Sequence, residues 1–304
     1  MTAESTETAA LRERVRVLMP RAKEDLTELV AMRSVADPRQ FPPEECAKAA
    51  DFLVRAFTEA GLRDVRRVTT PDGTDAVVGH APGPGGAPTV LLYCHYDVQP
   101  PLDDAAWRTP PFEPTERDGR WYGRGAADCK GNIAMHLTAL RTLGGPEGRG
   151  FPVNLKFVAE GSEEQGTAGL EELVPLQPDL FAADALRALT DHLTSAAPWG
   201  ARVEVEPESA GRPFRARTDG PAYRALATAF REAYGKDMVR AGQGGSIPLC
   251  GVLATHFPDA EIALIGVEEP GCLIHAPDES VDPSEIERMA LTEALFLSCY
   301  ATPL

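Results

Sequence analysis

Four short stretches of this chain carry residues that could work on a metal and a water molecule. The first is His95-Tyr96-Asp97, where the apolar run of residues 89–94 stops before the turn Gln99-Pro100-Pro101. Neutral imidazole is the commonest metal ligand, and its second nitrogen needs an orienting acceptor, which a carboxylate two residues on can supply. A surface turn would suit the same residues, so partners must come from elsewhere. The second stretch is Gly125-Ala126-Ala127-Asp128-Cys129-Lys130-Gly131. Its glycines permit a tight loop ahead of a helix, and Asp128 there is either a ligand or an N-cap.

The third stretch, Glu160-Gly161-Ser162-Glu163-Glu164-Gln165-Gly166, sets adjacent carboxylates between glycines. In extended or turning backbone neighbouring side chains diverge, so one carboxylate can bind a metal while the other addresses a water beside it. Metal-assisted hydrolysis needs that division, because the ion lowers the water's pKa and an unbound carboxylate removes its proton. The fourth, Leu273-Ile274-His275-Ala276-Pro277-Asp278-Glu279, again places a histidine after an aliphatic run. The glycine turn ending Gly245-Ser246-Ile247-Pro248 is either an anion-binding helix entry or a plain one.

Elements must hold these stretches together. Residues 89–94 read as a short buried strand, which belongs to a parallel or mixed sheet covered by helices on both faces. Such sheets present ligand groups at the carboxyl ends of their strands, where His95 falls. Helical periodicity predicts helices over 9–33, with a bend at Pro20, over 43–60, over 132–143, over 221–234 and from Pro283 onward. Strands are expected at 65–69, 76–80, 152–159, 201–206 and 261–267, with a short helix after Gly169, another over 186–194, and a hairpin turning at Asp118-Gly119.

Composition narrows the function. With 304 residues, 43% of them hydrophobic, the chain can bury a sizeable core. A net charge of −16 argues against a nucleic-acid or anionic-membrane surface. The amino terminus has no apolar signal core and no run is long enough to span a bilayer, so a cytoplasmic protein is expected. The six cysteines are scattered, without a Cys-x-x-Cys pair, and are expected to be reduced.

Taken together, His95-x-Asp97, Gly125-x-x-Asp128-x-Lys130-Gly131, Glu160-Gly161-x-Glu163-Glu164-x-Gly166 and His275-x-Pro277-x-Glu279 resemble the co-catalytic zinc exopeptidases and deacylases. That family includes carnosine dipeptidases, carboxypeptidase G, aminoacylase and succinyl-diaminopimelate desuccinylase, and the wording here is nearest its bacterial dipeptidases. The resemblance implies an α/β catalytic domain with a mixed, largely parallel sheet sandwiched by helices. It implies two zinc ions: His95 and Glu164 on separate ions, Asp128 bridging them, and His275 joining Glu164. Glu163 would be the general base, Asp97 would orient His95, and Asp128-Cys129 would be a cis peptide. Gly245 and Ser246 would hold a substrate carboxylate, as suits a peptidase that reads a free C-terminus.

The chain departs from the family at one place. Members carry a further carboxylate on the ion of His95 and an inserted lid domain that supplies an oxyanion-stabilising histidine. Here residues 1–185 and 218–304 read as the two parts of the catalytic domain, and 186–217 as a remnant of the lid. Asp191 stands at a plausible distance after Glu164 to replace the lost ligand, although it falls in an expected helix. The expectation is a zinc-dependent hydrolase of dipeptides or short peptides, weakened by the lid's loss and monomeric without its dimerising surface. The alternatives are an inactive deletion product acting as a scaffold or binding module, and an N-acyl amino acid deacylase.

Overall fold

The computed structural model describes residues 6–144, 150–166, 169, 216–241 and 248–301. The segment read as a lid remnant, Asp191, Gly245 and Ser246 lie outside them, apart from residues 216 and 217.

The main sheet has the order β1-β2-β6-β3, built from β1 (Arg63–Thr69), β2 (Asp75–Ala81), β3 (Thr89–His95) and β6 (Asn154–Glu160). It is mixed: β1 with β2 and β2 with β6 run antiparallel, while β3 and β6 run parallel. That parallel register pairs His95 with Glu160, so two strands deliver their carboxyl ends side by side. The alternation of β6 explains its seat. Leu155, Phe157 and Ala159 are buried on one face, against α2 (Glu44–Glu59) and α3 (Lys130–Gly144). Phe57 of α2 stacks on Phe157 with ring centroids 3.8 Å apart. On the other face Tyr93 and Val158 pack against Leu249 and Leu253 of α5 (Pro248–His256).

A second cluster joins α1 (Thr6–Ala31), α3, α4 (Pro221–Tyr234) and α6 (Pro283–Tyr300). Leu11, Val15, Leu26, Leu29 and Val30 make the buried stripe of α1, and burying such side chains contributes roughly 1.5–3 kcal/mol each. Pro20 lies inside one continuous helix rather than between two. Helix α6 starts where Asp282 accepts from the N–H of Ser284 at 2.8 Å and Pro283 fills the first turn.

A small sheet completes the support. The hairpin of β4 (Thr115–Arg117) and β5 (Arg120–Tyr122) turns at Asp118-Gly119, and β5 pairs with β7 (Ser280–Val281). The hairpin before the Asp128 loop is thus tied to the strand that follows His275.

The expected strand over 261–267 does not form. The carboxylate of Glu261 instead caps α4, accepting from the N–H groups of Ala222 (3.0 Å) and Tyr223 (3.1 Å), and the N–H of Val267 donates to Asn132 Oδ1 at 2.9 Å. Side chains at both ends therefore pin this run, and Leu264 and Ile265 stay exposed. No helix among the described residues is long and apolar enough to cross a membrane.

Candidate active site

The paired ends of β3 and β6 place two loops in contact. The backbone N–H groups of Glu163 and Glu164 donate to the two carboxylate oxygens of Asp97, at 3.1 and 3.0 Å. Asp97 is fully buried, so these bonds fix the glutamate pair to the histidine strand. His95 Nδ1 lies 3.1 Å from the backbone carbonyl of Asp97 and 3.4 Å from its Oδ1, which leaves Nε2 facing the site. Asp97 therefore orients His95 mainly through its main chain and spends its carboxylate on the glutamates.

Asp128 stands between the two histidines. Its Oδ1 is 3.0 Å from His95 Nε2 and its Oδ2 is 3.0 Å from His275 Nε2. His275 Nε2 is also 3.3 Å from Glu164 Oε2, and Glu163 Oε2 is 3.8 Å from His95 Nε2. The Asp128-Cys129 peptide is cis, as expected. Six residues singled out in the sequence, His95, Asp97, Asp128, Glu163, Glu164 and His275, thus meet in one place.

The electrostatics follow from that crowding. Hydrogen bonds to Asp128 and Glu164 push His275 up to about 10. Burial would raise Asp128, but its hydrogen bonds with His275 and His95 hold it well below the usual carboxylate range. Burial raises the carboxyl of Glu163; His95 opposes this, while Glu164, Asp97 and Asp128 reinforce it. A raised carboxyl beside the donors suits a group that must accept and release a proton near neutral pH.

Two supports were not assigned from the sequence. Gln99 Nε2 donates to Glu164 Oε2 at 2.9 Å and to its backbone carbonyl at 3.1 Å. Glu279 is fully buried: Oε1 accepts from the N–H groups of Ala127 and Asp128, both at 3.1 Å, and Oε2 from Gly125 N–H at 3.1 Å and Arg124 Nη1 at 2.6 Å. Glu279 therefore shapes the loop that presents Asp128. The loop presenting His275 is held differently. Leu273, His275 and Asp278 all have positive φ, and Asp278 Oδ1 accepts from Arg108 N–H and Arg117 Nη2, both at 3.1 Å. Backbone of this kind costs about 1–3 kcal/mol per residue and persists where the surroundings hold it.

A family model described as Peptidase family M20/M25/M40 matches residues 91–298, which span the four stretches and the geometry above. The chain belongs to this peptidase family. The cysteinylglycine-S-conjugate dipeptidase of Corynebacterium striatum is 30% identical over 443 residues, covering 93% of this chain and 97% of that protein. That alignment is longer than the chain itself, so a long stretch of the relative faces no residue here. The Beta-Ala-His dipeptidase of Mus musculus is 47% identical over 94 residues, covering 31% of this chain and 19% of that protein. The fold matches human carnosine dipeptidase 1 with a TM-score of 0.77 at 17% identity, covering 98% of this chain and 100% of that one.

Membership of this metallopeptidase family implies a divalent metal, and the residues fit one. Glu164 Oε1 is buried with no hydrogen-bond partner among the described residues, while Oε2 already accepts from Gln99. A buried, unpaired carboxylate oxygen is costly unless a cation takes it. The family's metal would be held by Asp128, Glu164 and His275, whose donor atoms lie within 4.8 Å of one another, and by His95 across Asp128.

Proposed function

We propose that this chain is a zinc-dependent dipeptidase in which Glu163 is the general base. The observation that carries the reading is the division of Asp128, one oxygen 3.0 Å from the imidazole of His95 and the other 3.0 Å from that of His275. Imidazole and carboxylate donors suit zinc, and two ions sharing a carboxylate would together lower the pKa of a water and polarise the scissile carbonyl. The chain's own residues do the rest. Glu163 takes a proton from the attacking water as its oxygen bonds to the peptide carbon. It then returns that proton to the leaving nitrogen as the C–N bond breaks, so the carboxylate ends as it began. Asp97 and Gln99 hold the glutamates in place through this cycle.

Dipeptides as substrates are supported by the relatives, whose names describe dipeptidases. The reduced lid is supported by the unmatched stretch in the longer relative. Gly245 and Ser246 are proposed to hold the substrate carboxylate. A monomer in the cytoplasm is proposed as well, in keeping with the free state of all six cysteines.

The test is turnover of a panel of dipeptides and N-acyl amino acids by the zinc-loaded chain and by Glu163→Gln. Dipeptide cleavage lost in the variant, with metal content unchanged, is the expected outcome. Cleavage of acyl amino acids alone would move the reading to a deacylase. Absence of turnover with either substrate would sink hydrolysis.

A further inference from the structure

We propose that the thiol of Cys129 is a metal ligand, completing a three-donor site with His95 and Asp128. The inference rests on the metallohydrolase reading and deepens it by assigning a third donor to the His95 side from among the described residues.

Among the described residues two groups of donors converge closely enough to hold an ion. One is Asp128, Glu164 and His275; the other is His95, Asp128 and Cys129, again with ligand atoms within 4.8 Å of one another. Both contain Asp128, so they are two halves of one centre. With Cys129 counted, each half has three protein donors, the number that leaves a zinc ion one open position for chemistry. Without it, the described residues would hold an ion on the His95 side by one imidazole and a shared carboxylate. Among the described residues Glu163 Oε2 also lies near, 3.8 Å from His95 Nε2, and the proposed mechanism reserves it for the proton.

The surroundings of the sulfur suit a ligand. Cys129 is 6% exposed, and the amide of Asn132 donates to its Sγ at 3.3 Å. Asn132 is itself fixed, since Nδ2 also donates to Glu268 Oε1 at 2.6 Å and Oδ1 accepts from Val267 N–H. A held N–H donor aimed at the sulfur is what a metal-bound thiolate needs from its surroundings. Charge points the same way. Among the described residues the two donor groups hold two carboxylates, Asp128 and Glu164, and a thiolate supplies a third negative charge. Binding would break the S–H bond, release its proton to solvent and form one sulfur–metal bond, with no change of oxidation state.

The competing reading is a buried cysteine that only packs, for Cys129 also touches the core formed with Ile133 and Leu137. Cobalt loading of the full chain separates the two, with metal content measured beside near-ultraviolet absorption. The expected result is two cobalt ions per chain and a thiolate-to-cobalt charge-transfer band. Cys129→Ser should lose the band and weaken one ion at least about tenfold, whereas Glu164→Gln should keep the band and Cys94→Ser should change neither. Cys129→Asp should restore the second ion without the band, which shows that the fold tolerates change at this position. Two cobalt ions without a band, or a band that survives Cys129→Ser, would overturn the assignment of Cys129 alone. Failure to bind any cobalt would overturn the metallohydrolase reading with it.

Discussion

Replacing Glu279 by Gln should destabilise the protein by about 3–5 kcal/mol, although the side chain touches no reacting atom. Glu279 and Arg124 are each 1% exposed at the side chain and meet at 2.6 Å. Removing one partner of a buried ion pair leaves the other charge uncompensated, which costs about 3–5 kcal/mol. The three backbone N–H groups of Gly125, Ala127 and Asp128 also depend on this carboxylate, and each buried donor left unmatched costs about 1–3 kcal/mol. Burial raises the carboxyl of Glu279, while Arg124 and the backbone N–H groups of Asp128 and Gly125 oppose the rise, and every hydrogen bond to its oxygens comes from a donor. A glutamine amide must turn its NH2 toward one pair of those donors. The loss would take much of a typical stability of about 5–15 kcal/mol. Urea unfolding of the metal-free protein measures it, and metal titration should show weaker binding, because the same carboxylate presents Asp128. The double variant Arg124→Met, Glu279→Leu should recover part of the stability by removing both charges. A loss below about 1 kcal/mol in Glu279→Gln would refute the hub that the distances describe.

Glu163→Gln should lower turnover roughly a hundred- to ten-thousandfold with metal content unchanged; a parallel fall in bound metal would show that Glu163 is a ligand instead. Asp97→Ala frees the backbone N–H groups of Glu163 and Glu164 and should weaken metal binding about 10–100-fold, read by competition with a chromogenic chelator. His275, raised to about 10 by Asp128 and Glu164, stabilises the metal-free fold fully below its unfolded value of about 6.5 and loses that contribution as pH rises through about 10. Metal-free denaturation midpoints should therefore fall across that window, and zinc added within it should release protons. Flat midpoints with no proton release would contradict the placement of His275. Light scattering should give a monomer, and a stable dimer would refute the proposed monomeric state.

Local chemistry made much of this protein legible from its sequence. The strand at residues 89–94 was visible from its apolar run, and the abrupt change at His95 marked its functional end; its burial was not, since β3 ends the strand order among the described residues and leaves Thr89 and Leu91 exposed. Adjacent Glu163 and Glu164 between glycines, and Asp128 in a loop before a helix, carried their donor chemistry in residue type alone. The aliphatic run at 261–267 misled, since its strand-like composition has no force without a ladder, and Glu261 and Val267 found other partners. Gln99 and Glu279 stood in the same motifs without roles, because their partners lie 65 and 151 residues away. Residue types and short spacings thus determined which groups could bind a metal and move a proton. Only the folded chain decided which oxygen faces which imidazole and which sulfur stands beside them, because those distances depend on loops brought together by strands and helices far apart in sequence.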